Sequence, residues 1–99
     1  MYIVRDIFRL RFGHFKEAKA LLDEAHAKGL LPDAITSRIL TDFTGDSYRL
    51  IFEEGFANLS DYEESLNSSM DKDDWKKWYL KFKEHVESSH REILKVVTY

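Results

Sequence analysis

The chain has 99 residues, of which 43% are hydrophobic and 33% charged, and this length predicts one domain with a single hydrophobic core. The formal net charge of −3 argues against a nucleic-acid binder, and no hydrophobic run reaches the roughly 18 residues that a membrane span needs. The absence of cysteine excludes disulfides and thiolate metal ligands, and it predicts a reducing, cytoplasmic location.

The first two elements are predicted to be a strand and a helix. Hydrophobic residues alternate over residues 2–12, which is typical of a strand with one mostly apolar face. After Gly13 the spacing changes to that of an amphipathic helix over residues 14–28. Gly29 suits the end of this helix, and Pro32 prevents its continuation.

The remaining elements are predicted to be a hairpin, a broken helix and a last strand. Strand-like segments at residues 35–44 and 48–56 flank turn residues and predict an antiparallel hairpin. A helical region opens near Asn58, weakens at residues 67–69, and resumes from Asp71 to the serines at 88 and 89. Its second part carries a regular hydrophobic stripe of Trp75, Trp78, Tyr79, Phe82 and Val86. A strand over residues 92–98 follows.

This order of elements predicts an α+β fold. Two split β-α-β units form a four-stranded antiparallel sheet with helices on one face, which is the ferredoxin-like arrangement. Right-handed crossovers favour the strand order 4-1-3-2. Residues 1–99 are therefore expected to form a single ferredoxin-like domain, with its second helical region broken in two.

The sheet face that the helices leave uncovered is predicted to be too hydrophobic to face water. Ile3 and Ile7 lie on it, Leu40 and Ile51 are candidates from the middle strands, and the last strand is apolar on both faces. Because soluble proteins seldom expose such a patch, the sequence predicts a homodimer whose two sheets pack face to face. The expected partner is a second copy of the chain, with no nucleic acid and no membrane.

Arg5 lies on the same face and would be partly dry in such a dimer. A dry guanidinium needs a carboxylate or an anionic ligand. Two alternatives remain open: an ion pair with Glu53 or Glu92, or an anchor for the carboxylate or enolate oxygen of a ligand. Asp6, on the opposite face, interrupts the hydrophobic pattern, and it is expected to pair with a lysine or arginine at the helix edge.

Several stretches of the chain resemble NIPSNAP-like proteins. Residues 11–14 stand where those proteins have a Lys-Pro-Gly-Lys turn, residues 56–63 resemble their entry into the second helical region, and the helix around Trp75 and Trp78 is similarly aromatic. Residues 92–94 lead the last strand in a similar way. The resemblance implies the dimeric α+β-barrel superfamily, which includes antibiotic-biosynthesis monooxygenases. It also implies a ferredoxin-like protomer, dimers formed through the sheets, and a cavity between helices and sheet.

Haem and other cofactors are not expected. In the haem-degrading relatives a tryptophan and a histidine on the second long helix frame the haem, and Trp75 and His85 could take those places. Those relatives also carry an asparagine on the first strand, where this chain has Arg5 and Asp6. No phosphate loop, nucleophile elbow or zinc motif occurs, and the acidic run at residues 71–74 is better explained as a helix cap than as a metal site.

The sequence predicts a small homodimeric NIPSNAP-like protein that binds a small aromatic or anionic organic molecule. Trp75, Tyr79 and Phe82 are the predicted ligand-binding residues. If the protein is an enzyme, a cofactor-independent monooxygenase or isomerase is expected, with His85 moving a proton and Arg5 stabilising an oxyanion. The alternative is a non-catalytic structural or interaction module with a filled core. In that case His85 and the two tryptophans are packing residues.

Overall fold

A computed structural model describes residues 1–31, 33–46, 48–70 and 73–98 of the chain. The elements are, in chain order, β1 (Tyr2–Leu10), α1 (Phe15–Ala27), β2 (Thr36–Thr41), β3 (Arg49–Phe56), α2 (Leu59–Met70), α3 (Asp73–Phe82) and β4 (Val86–Lys95). The strands form one antiparallel sheet in the order β2-β3-β1-β4. Read from the other edge of the sheet, this is the predicted order 4-1-3-2. The predicted ferredoxin-like fold and strand order are therefore confirmed.

The hydrophobic core lies between the helices and one face of the sheet. Alternate residues of β1 and β3 point towards it, and Val4, Leu10 and Leu50 are at most 1% exposed. The predicted stripe of α1 packs against Leu10 and Leu50 through Ala18, Leu22 and Ala25. Gly29 ends this helix with a φ of 68°, a left-handed conformation that favours glycine. No helix of the described residues is long and apolar enough to cross a membrane.

The last helix and the last strand differ from the prediction. Helix α3 ends at Phe82, a short 3-10 turn covers Lys83–His85, and β4 already begins at Val86. The strand runs along the whole of β1, from the Leu10–Val86 pair to the Tyr2–Lys95 pair. Main-chain pairing with β1 therefore decides the conformation of residues 86–91, although Val86 continues the hydrophobic stripe of the preceding helix. The expected helix as far as residues 88 and 89 is wrong.

The first strand of the hairpin, β2, and the first strand of the chain, β1, are also shorter than expected. Strand β2 covers residues 36–41 instead of 35–44, and β1 ends at Leu10 instead of Phe12. The phenyl ring of Phe12 is 87% exposed and lies with its centre 4.9 Å from that of Tyr48. Past these ends the main-chain N–H groups of Ile35 and Arg11 each donate one hydrogen bond, to Gly55 O and to His85 O. The paired ladder of the described residues does not continue beyond them.

The uncovered face of the sheet carries a row of alternating charges. Glu92, Arg5, Glu53 and Arg38 lie next to one another across the four strands. Arg38 Nε donates a hydrogen bond of 2.7 Å to Glu53 Oε1, and Arg5 Nε lies 3.5 Å from Glu53 Oε2. Of the two alternatives for Arg5, the ion pair with Glu53 is the one present in the structure.

Hydrophobic residues lie on both sides of this charged row. Ile7 and Ile51 are cross-strand neighbours, and each is only 4% exposed although the helices do not cover them. Leu94 lies beside Ile3 at the other side of the row and is 45% exposed. The uncovered face is therefore mixed, where the sequence predicted a mainly hydrophobic surface.

Candidate functional site

A cavity of about 390 Å³ lies between the helices and the covered face of the sheet. Side chains of β1, β3 and β4 form its floor, and α2 and α3 supply much of its wall. Seven aromatic residues surround it: Phe8, Phe52, Tyr62, Trp75, Trp78, Tyr79 and Phe82. The cavity is therefore mainly apolar, as small-molecule sites usually are.

Helix α3 brings four of these aromatic side chains together through its helical spacing. Trp75 and Tyr79 are four residues apart and stack with ring centres at 5.1 Å and an interplanar angle of 13°. Trp78 and Phe82 repeat this arrangement at 4.9 Å and 13°. The indole Nε1 of Trp78 donates a hydrogen bond of 2.6 Å to the main-chain oxygen of Leu21, which fastens α3 to α1.

Three charged or titratable side chains meet at the floor of the cavity. Asp6 of β1 lies opposite Arg91 of β4, and Arg91 Nε donates a hydrogen bond to Asp6 Oδ1. Glu54 of β3 follows the same alternation as the core residues Leu50, Phe52 and Phe56, so its side chain also points to the covered face. Only 2% of Glu54 is exposed, and its Oε2 has no hydrogen-bond partner among the described residues.

Burial raises the pKa of Glu54 to about 8, because a charged carboxylate loses its hydration in this environment. The negative charge of Asp6 raises this pKa further, and the positive charge of Arg91 partly opposes the shift. At neutral pH Glu54 is therefore mostly a neutral carboxylic acid. In that state its hydroxyl can donate a hydrogen bond, and a modest change in surroundings can remove its proton.

Tyr62 of α2 also lines the cavity, and its ring lies next to these charged side chains. Its ring lies 5.7 Å from the guanidinium carbon of Arg91, within the distance of a cation–π interaction. Burial also raises the pKa of the Tyr62 hydroxyl, so this group stays neutral. Arg91 is thus held between the carboxylate of Asp6 and the aromatic ring.

The structure brings together three of the five predicted site residues. Trp75, Tyr79 and Phe82 all line the cavity. Arg5 points to the opposite face of the sheet, where it pairs with Glu53. His85 lies in the 3-10 turn outside the cavity.

The imidazole of His85 is part-buried and contacts a second histidine. Its Nδ1 is 2.9 Å from Nδ1 of His14, so the Nδ1–H of one ring donates a hydrogen bond to Nδ1 of the other. Neither Arg5 nor His85 is among the described residues around the cavity. The sequence predicted these two residues in the wall of the cavity. The charged or titratable side chains at its floor are instead those of Asp6, Glu54 and Arg91.

Sequence reasoning missed the role of Glu54 and Arg91. The signal for Glu54 was a charged residue within the hydrophobic alternation of its strand, the same signal that singled out Asp6. Asp6 was expected to pair with a basic residue at the helix edge. It does pair with an arginine, but this arginine lies on β4, 85 residues away along the chain.

Solved structures with the same arrangement of elements include NIPSNAP proteins. An uncharacterized NIPSNAP domain protein from Burkholderia xenovorans superimposes with a TM-score of 0.87, covering 100% of this chain and 97% of that one at 11% identity. The fold is NIPSNAP-like. A NIPSNAP family protein from Agrobacterium tumefaciens has a TM-score of 0.82, with coverage of 100% and 96% and an identity of 23%.

The likeness extends to a second group named in the sequence resemblance. A putative antibiotic biosynthesis monooxygenase from Nitrosomonas europaea superimposes with a TM-score of 0.74, covering 99% of this chain and 100% of that one at 14% identity. No protein-family model and no curated protein matches the chain. These likenesses establish the NIPSNAP-like, ferredoxin-like fold, and an activity has to be argued from the cavity itself.

Proposed function

We propose that this protein binds a small organic molecule in the aromatic cavity between sheet and helices. The cavity itself is the observation that supports the proposal: about 390 Å³ falls within the usual range for small-molecule sites. It combines apolar walls with a few convergent polar groups, Asp6, Glu54 and Arg91, as such sites generally do. The alternative of a structural module with a filled core would leave no space of this size.

The walls favour a ligand that contains a ring. Stacked side chains such as Trp75 and Tyr79 offer flat apolar surfaces, on which a ring of the ligand can pack. The sequence also allowed an anionic ligand. Arg91 is the group that would receive an anion in this cavity, but its charge is already engaged by Asp6 and by the Tyr62 ring. Recognition by the aromatic walls is therefore the stronger part of the proposal.

If the protein is an enzyme, we propose that Glu54 has the proton-transfer role that the sequence assigned to His85. A carboxyl group with a pKa of about 8 can both give and take a proton near neutral pH. Such a group suits an isomerase or another cofactor-independent reaction that begins with a proton transfer. Arg91, in place of Arg5, is the positive charge available to stabilise an oxyanion.

We also retain the homodimer as a proposal. Leu94 and Ile3 form a hydrophobic area next to the charged row of the uncovered face. A second copy related by a two-fold axis would cover this area and could pair its own charged row with the first. A cytoplasmic location, inferred from the absence of cysteine, likewise stays a prediction.

A ligand screen with a cavity-filling variant tests the binding proposal. We expect some members of a set of aromatic acids, aromatic ammonium compounds, quinones and haem to raise the melting temperature of the wild-type protein. Leu66→Trp would fill part of the cavity, because Leu66 lines it from α2, and is expected to weaken these ligands at least tenfold, which is about 1.4 kcal/mol. Leu59→Trp is the matched control, since Leu59 lies on the same helix and is 46% exposed outside the cavity.

Two results would contradict the binding proposal. One is a ligand set that leaves the wild-type melting temperature unchanged throughout. The other is a set of active ligands that bind Leu66→Trp as tightly as the control variant.

A further inference from the structure

We infer that the cavity selects an organic monocation, such as a quaternary ammonium group attached to a ring, and holds its charge against the carboxylate of Glu54. This inference rests on the proposed binding function and deepens it by naming the charge of the ligand. It is carried by two observations: a buried carboxyl group with an unpartnered oxygen, and the aromatic walls around it.

The charges around Glu54 leave room for one additional positive charge. Asp6 of β1 and Arg91 of β4 form an ion pair and neutralise each other. Tyr62 of α2 and Tyr79 of α3 also face the cavity, and a tyrosine side chain brings no positive charge. With these groups accounted for, an ionised Glu54 would be the single uncompensated charge among the described residues that line the cavity.

Of the part of the chain that the structure describes, His90 is the remaining titratable residue along the cavity. It belongs to β4 and pairs with Ile7, so its side chain points to the uncovered face of the sheet. There its Nε2 lies 3.9 Å from Glu92 Oε1. The imidazole therefore contributes no positive charge directed at Glu54.

The aromatic walls favour the same class of ligand. The face of an aromatic ring carries partial negative charge and attracts cations, particularly where water is excluded. One such contact already exists in the cavity, between the guanidinium group of Arg91 and the ring of Tyr62. Trp75, Trp78, Tyr79 and the three phenylalanine rings provide further surfaces of this kind.

Binding of a quaternary ammonium ion requires Glu54 to lose its proton. The free protein holds this proton below pH 8, because burial raises the pKa of the carboxyl group to about 8. The cation brings no proton of its own, so the O–H bond of Glu54 breaks, its electron pair stays on the carboxylate, and the proton passes to the buffer. The affinity is therefore expected to rise about tenfold per pH unit below pH 8 and to level off above it.

Calorimetric titration of the full chain with three benzyl compounds tests the inference. Benzyltrimethylammonium, benzyl alcohol and phenylacetate carry positive, zero and negative charge on a similar ring. Titrations at pH 6.5 and pH 9 in buffers of different ionisation enthalpy measure the protons released. We expect benzyltrimethylammonium to bind most tightly of the three and to release about one proton at pH 6.5, and few at pH 9.

Two variants assign the effect to Glu54. Glu54→Gln keeps the shape of the side chain and removes its charge, so it should abolish the proton release and weaken benzyltrimethylammonium at least tenfold at pH 9. Glu87→Gln changes an exposed glutamate of β4 away from the cavity and should behave like the wild-type protein. The wild-type proton count remains decisive even if Glu54→Gln folds poorly.

The outcomes separate this inference from the binding proposal. If benzyl alcohol or phenylacetate binds more tightly than benzyltrimethylammonium, the preference for a cation is overturned. If Leu66→Trp abolishes that binding, the cavity is still the binding site. Binding of benzyltrimethylammonium without proton release at pH 6.5 would overturn the role of Glu54. Failure of all three compounds, together with failure of the wider ligand set, would overturn both proposals.

Discussion

Glu54→Gln is also expected to change how the stability of the protein depends on pH. In the folded protein the pKa of Glu54 is about 8, whereas an exposed glutamate has a value near 4.5. Between these two values the folded state binds more protons than the unfolded chain. The free energy of unfolding of the wild-type protein therefore falls as the pH rises through this window. Below pH 4.5 the group is neutral in both states, and above pH 8 its destabilising effect is complete.

The size of the effect follows from the width of this window. Within this window the free energy of unfolding falls by about 1.4 kcal/mol for each pH unit. Between pH 5 and pH 7 the wild-type protein should lose about 3 kcal/mol of stability relative to Glu54→Gln, which has no proton to release. Domains of this kind are stable by only about 5–15 kcal/mol, so the change is large. With a urea m-value of about 1–3 kcal/mol/M, the difference between the two unfolding midpoints should change by roughly 1–3 M.

Urea unfolding at pH 5, 6, 7 and 8, followed by tryptophan fluorescence, measures this difference. All samples need the same protein concentration, because the stability of a dimer would depend on it. At each pH, the free energy of unfolding of the variant is subtracted from that of the wild type. This difference removes the contributions that both proteins share, including those of the histidines. Parallel pH profiles for the two proteins would refute the reasoning, as would a variant that is less stable than the wild type at pH 8. Glu87→Gln again serves as the control and should follow the wild type.

Two further predictions concern the dimer and the floor of the cavity. Leu94→Asp should prevent dimer formation and give the monomer mass in light scattering, whereas Ile93→Asp should stay dimeric, because these neighbours are 45% and 47% exposed on opposite faces of β4. Monomeric wild-type protein, or equal masses for both variants, would contradict packing through the uncovered face. Asp6→Asn should lower the pKa of Glu54 below about 8, since the charge of Asp6 raises it. Carbon NMR of the glutamate side chain measures this pKa, and an unchanged or higher value would contradict the proposed coupling.

Local patterns in the sequence were sufficient to predict the fold. The change from alternating to helical spacing after Gly13 and the glycine at residue 29 predict the first strand and helix, although β1 ends at Leu10 and not at Phe12. The strand order then followed from the sequence of elements and the handedness of their connections. The aromatic residues of α3 were predictable for the same reason, because their spacing along a single helix places Trp75, Tyr79 and Phe82 beside one cavity.

Contacts between distant strands decided the rest. Residues 86–91 became part of β4 because they pair with β1, although Val86 continues the hydrophobic stripe of the helix before it. Asp6, Glu54 and Arg91 come from three different strands, and only the register of the sheet places them on the same face. Burial by the helices then raises the pKa of Glu54 to about 8. A linear sequence shows that an acid interrupts a hydrophobic pattern, but its partners and its protonation depend on which residues the folded chain packs around it.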